Sequence, residues 1–139
     1  MNATRFKQAI AIIEEIPYTQ LKLDYWQDNR MECQAIRSSS QVTCGTIACA
    51  AGWLALSPEM QEEGLMVGHR GAPMYLYQGI QTSNFYALQL FFDIRDVDAD
   101  SLFGSRSSYE CLGSFAKLTD KEIWLWRAKQ FLARYEETV

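Results

Sequence analysis

Cys44-Gly45-Thr46-Ile47-Ala48-Cys49-Ala50-Ala51-Gly52-Trp53-Leu54-Ala55-Leu56 is apolar on almost every side when wound as a helix. A helix that is hydrophobic all round has to be buried. Residues 46–56 are therefore expected to form a central helix, with the Thr46 hydroxyl capping its first turn. Ala48 and Gly52 lie one turn apart and would let another helix approach closely. Ser57-Pro58-Glu59 follows as a cap, an N1 proline and an acidic first turn, so a short second helix is expected, ended by Gly64.

Upstream, Phe6, Ala9, Ile10, Ile13 and Ile16 recur at helical spacing, which predicts an amphipathic helix over residues 3–16, stopped by Pro17. Leu21, Leu23 and Tyr25 alternate with polar residues and suggest a strand, while Ser38-Ser39-Ser40 marks a loop; the fold of the rest of residues 18–43 stays open. Downstream, the glycines at 64, 68, 71 and 79 with Pro73 punctuate residues 65–80, where Met74-Tyr75-Leu76-Tyr77 predicts one arm of a small β-hairpin. Ser83 and Asp96 are placed to cap two further helices. Residues 104–118 read as a loop. Thr119-Asp120-Lys121-Glu122 is a capping box that opens a long C-terminal helix over about 120–137, with Trp124, Ala128, Phe131, Leu132 and Tyr135 on one face. The expected fold is a mainly α, compact single domain spanning residues 1–139.

Composition agrees with that class. With 48% hydrophobic and 13% aromatic residues, the 139-residue chain can build a core without disulfides or metals. The net charge of −4, from 17 acidic and 13 basic side chains, argues against direct binding to nucleic-acid backbones, which requires clustered Lys and Arg. No apolar run approaches the ~20 residues needed to span a bilayer. The N-terminus reads as an amphipathic helix, not a signal peptide. Cys33, Cys44, Cys49 and Cys111 are therefore expected as free thiols in a reducing, cytoplasmic setting.

The stretch from Cys44 to Trp53 resembles a group of small bacteriophage and bacterial proteins that share C-G-T-x-A-C-x-A-G followed by an aromatic residue or His. The Gly/Pro/Tyr loop, the helix Ala87-Leu88-Gln89-Leu90-Phe91-Phe92, Ala99-Asp100-Ser101-Leu102-Phe103 and the Thr-capped last helix fit the same order, so the resemblance covers residues 44–135. It implies an origin in a phage or mobile element and a bacterial host cell, and it carries no catalytic assignment.

Two readings of the motif compete. Cys44 ahead of a helix N-terminus would have a stabilised thiolate, and His69, the only histidine, oriented by Asn84 or Asp24, would complete a cysteine-dependent enzyme. Alternatively Cys44, Gly45, Thr46, Cys49, Gly52 and Trp53 serve packing and turn geometry. The packing reading prevails, because apart from Cys44 no member of the catalytic constellation has independent support. Zinc binding would need ligands from the four cysteines and His69, whose spacings match no usual module. Asp96-Val97-Asp98-Ala99-Asp100 begins like a calcium loop but has Ser101 where glycine is required. No phosphate-binding or dinucleotide glycine pattern occurs. No cofactor or metal is expected.

Trp124 and Trp126 lie about 200° apart around one helix, so Trp126, beside Arg127, is expected away from the core face. With Tyr75 and Tyr77 it forms the candidate partner-binding set, since aromatic and Arg side chains are enriched at interfaces. The expected function is a non-enzymatic phage or mobile-element protein that binds and inhibits or modulates a host protein, such as a defence component of the CRISPR-effector type, with a homodimer as a further possible assembly. An acidic nucleic-acid mimic built on Asp93, Asp96, Asp98, Asp100, Glu59, Glu62 and Glu63 is the third reading.

Overall fold

The computed structural model describes residues 1–27, 36–43, 46–104 and 118–138. Six α-helices are found among them: α1 (Ala3–Glu14), α2 (Ala50–Leu56), α3 (Pro58–Glu62), α4 (Asn84–Phe92), α5 (Asp96–Phe103) and α6 (Asp120–Thr138). Strands β1 (Leu65–Val67), β2 (Pro73–Tyr77) and β3 (Ile80–Ser83) form an antiparallel sheet in the order β1-β2-β3. The fold is mainly α, with a meander where a two-stranded hairpin was expected. The Gln78-Gly79 turn has positive φ at both positions, the geometry whose twist suits a two-residue hairpin.

α2 is the hub. Every residue from Ala50 to Leu56 is buried. It starts later than the sequence suggests, and Thr46 is not its cap. The reason is tertiary. The Ala48 N–H donates to the Gln20 carbonyl, Lys22 N–H donates to the Ala48 carbonyl, and Cys49 N–H donates to the Tyr25 carbonyl. Those bonds hold the backbone extended up to Cys49, whose Sγ accepts from Gly52 N–H at 3.4 Å and so takes the capping position. Thr46 Oγ1 instead accepts from Thr43 N–H.

The same bonds explain why Leu21, Leu23 and Tyr25 do not form a strand. Leu21 and Gln27 make isolated bridges with Ala48, and the chain between them wraps round the start of α2. What Gly52 admits is therefore not a helix but the main chain at Trp26, whose carbonyl occupies the place of a Cβ.

Two further caps differ from expectation. Ser83 makes no capping bond. Asp96 lies inside α5 and accepts from Val97 N–H, and Arg95 precedes it at the cap position. The capping box at α6 is present: Glu122 N–H donates to Thr119 Oγ1, and Thr119 N–H donates to Glu122 Oε1. At the end of α3, Gly64 takes φ +106° and its Cα sits under the Tyr75 ring, so the stop read from the sequence is a conformational requirement.

The core is one continuous cluster. α6 packs on α1, α5 and the 3-10 turn at Tyr18–Gln20; the sheet packs on α2, α3 and α4. Among the described residues no helix is long and apolar enough to cross a membrane.

Candidate functional site

Residues 71–92 contain no Asp, Glu, Lys or Arg. They include β2, β3 and α4, so an uncharged segment runs from the sheet into the core. On the sheet, Leu65, Val67 and Pro73 face inward and are buried. Met66 pairs with Met74 and Leu76 with Gln81, so these four share the opposite face. On that face Met66 is 38% exposed and Leu76 56%. Next to the turn, Tyr77 and Ile80 pair across the hairpin and are 40% and 67% exposed. The outer face, and on the reverse side the hairpin tip with Tyr77 and Ile80, are thus uncharged and largely apolar, on a chain in which charged residues make up 22% of the whole.

Tyr75 and Tyr77 share the inward side of β2, but only Tyr77 is open to solvent. The Tyr75 ring stands edge-to-face on Phe91 at 5.2 Å, with the Arg5 guanidinium 6.0 Å from its centroid, so it belongs to the fold. Trp126 is 44% exposed on α6, and Arg127 is half-buried beside it. α6 packs chiefly on α1 and α5, and the sheet on α2, α3 and α4. Met66 and Ile80 were missed in the sequence because each is a single apolar residue in a short segment; the absence of charge around them was the available signal.

At the end of the sheet away from the hairpin turn, Trp26, His69, Arg70, Ala72, Ser83 and Asn84 line a cavity of about 400 Å³. Buried Gln27 lies against Gly71, between the lining residues Arg70 and Ala72. The Gln27 amide donates to the Ile36 carbonyl and accepts from Ile36 N–H, and its stem packs against the Cα of Gly71, which has φ +83°. A side chain at Gly71 would collide with Gln27. Arg70 and Asn84 both have left-handed backbones, φ 58° and 60°. His69 and Asn84 thus do lie at one cavity. Asp24 lines a second one of about 200 Å³ together with Cys49, Tyr25 and Trp26.

Cys44 and Gly45 lie outside the described residues, as do Cys33 and Cys111. The helix start that was expected to activate Cys44 falls instead at Cys49 and Ala50. Cys49 is no substitute nucleophile: burial pushes its thiol up to about 11, with the Gly52 N–H opposing the shift. A raised thiol pKa means that folding favours the protonated form. That contribution is complete below the ordinary value of 9.0 and is lost as pH rises towards about 11. In the native chain at pH 8, Cys49 should alkylate far more slowly than after unfolding, as read by peptide mass spectrometry. Labelling at the unfolded rate would show the site to be open.

Among the described residues no three His, Cys, Asp or Glu side chains converge as a metal site would require. Asp96, Asp98 and Asp100 lie within α5, where Asp96 and Asp98 form its acidic first turn. The acidic groups proposed as a phosphate mimic are partly neutralised. Glu63 pairs with Arg5, Asp98 with Arg95, and Asp93 with the N-terminal ammonium. No protein-family model, curated protein or solved structure matches this chain.

Proposed function

We propose that the chain is a protein-binding module that docks through the uncharged sheet face and hairpin tip formed by Met66, Met74, Leu76, Tyr77 and Ile80. The observation that carries the reading is the coincidence of apolar exposure and missing charge on the outer sheet face and around the hairpin tip next to it. Interface centres are depleted in charge and enriched in Met and aromatic residues, and sizeable exposed apolar patches on small domains mark interaction sites. The likeness of the Cys44–Trp53 motif to phage and bacterial proteins makes a bacterial host protein the partner class to test first, with defence components such as a CRISPR effector at the head of that class.

The test is a doubly substituted chain, Leu76→Lys with Ile80→Asp. Both side chains project into solvent, so the melting temperature should stay close to that of the parent, as for ordinary surface changes of within about 0.5 kcal/mol each. Capture of the partner by the parent chain from host lysate, identified by mass spectrometry, should fall by about tenfold or more, since burying an unpaired charge at an interface is costly. Unchanged capture by the double variant, with loss on Trp126→Ala, would move the interface to α6.

A further inference from the structure

We infer that the cavity lined by Trp26, His69, Arg70, Ser83 and Asn84 is a binding site for a small organic oxyanion carrying a planar ring, of the nucleoside monophosphate class. The inference does not rest on docking at the sheet face: Ser83 pairs with Met74 of that face, but the hairpin tip lies at the other end of the sheet.

Charge selects the ligand's sign. The chain as a whole is acidic, yet the cavity lining contains a guanidinium and no carboxylate. Among the described residues, no hydrogen bond or ion pair engages the side chains of His69, Arg70, Ser83 or Asn84. These four exposed polar residues, each able to donate to an oxyanion, line one space and make no such bond to one another. An Arg fork suits the planar, multi-oxygen geometry of phosphate and carboxylate.

Shape and the remaining lining select the rest of the ligand. A volume of about 400 Å³ exceeds what a bare ion needs and falls within the ~300–1,000 Å³ typical of small-molecule sites. Trp26 supplies the aromatic side chain of the lining, and it is held from two sides. Its main chain lies against Gly52, and its ring lies 5.2 Å from that of Phe85. A fixed indole favours stacking with a planar ring, and the Asn84 amide can both donate to and accept from a heterocycle edge.

The test uses the full-length chain, isotope-labelled, with three probes: AMP, adenosine and inorganic phosphate. AMP should shift the backbone amide signals of residues 69–71 and 83–86. Arg70→Gly keeps the left-handed backbone, which glycine adopts freely, and removes the cation. It should weaken AMP by about tenfold or more. Adenosine and inorganic phosphate should each bind more weakly than AMP. No shift at these amides with millimolar AMP, or an affinity that Arg70→Gly leaves unchanged, would overturn the site. Inorganic phosphate binding as tightly as AMP would overturn the ring-bearing ligand class.

Discussion

Replacing Gly52 by alanine is expected to lower the stability of this chain by about 3 kcal/mol or more, at or above the top of the ~1–3 kcal/mol range for overpacked cores. The sign is the informative part. In an exposed helix the same change would stabilise by about 0.5–1 kcal/mol, because alanine has the higher helix propensity. Here the added methyl would meet the carbonyl of Trp26, a main-chain group anchored by its neighbours: Cys49 N–H binds the Tyr25 carbonyl at 2.7 Å, and Gln27 bridges to Ala48. Neither backbone can yield by a rotamer change, so the wrap of residues 21–27 must lift off α2. Thermal unfolding should show a drop of roughly 6 °C or more, with a shift in tryptophan emission as Trp26 leaves its place beside Phe85. A variant that melts at or above the parent temperature would mean that α2 and the Trp26 segment do not touch at Gly52.

That contact also shows what could and could not be read from the residues alone. α1 and α6 follow from periodicity, and the capping box at Thr119 and Glu122 formed because all its partners lie within one turn. The stop at Gly64 is local in the same sense. By contrast, the start of α2 was misplaced by four residues, because the bonds that keep Ala48 extended come from Gln20 and Lys22. Gly52 was rightly singled out as a point of close approach, but nothing in its surroundings says that the approaching group is an irregular main chain. The cavity was illegible for the same reason: its lining comes from residues 26, 69–72 and 83–84, brought together by the sheet and by Gln27. The apolar sheet face was half legible. Met74–Tyr77 reads as a strand, but β1 and β3 are too short to show a period.

Phe92→Ala should also cost about 3–5 kcal/mol, the range for emptying a buried aromatic site. Phe91 and Phe92 are adjacent in sequence, and adjacent helical side chains point about 100° apart. Both can be fully buried only if α4 is covered on two sides. It is: Phe91 stands against Tyr75 of the sheet, while Phe92 meets Phe6 of α1 edge-on at 5.7 Å and stacks on Phe103 of α5 at 5.9 Å. Phe103 in turn contacts Trp124 of α6 at 6.0 Å, so one chain of rings links the sheet to the C-terminal helix. Phe92 is its branch point, and removing that ring separates α1 and α5 from α4 at once. A domain with a total stability of ~5–15 kcal/mol would lose about a fifth of it or more. Chemical denaturation should therefore show a midpoint far below that of the parent. The apolar sheet face lies outside this ring network, so the Leu76→Lys, Ile80→Asp chain should unfold at nearly the parental midpoint. A Phe92→Ala chain as stable as that surface variant would show that α4 is not the layer on which both halves of the core are built.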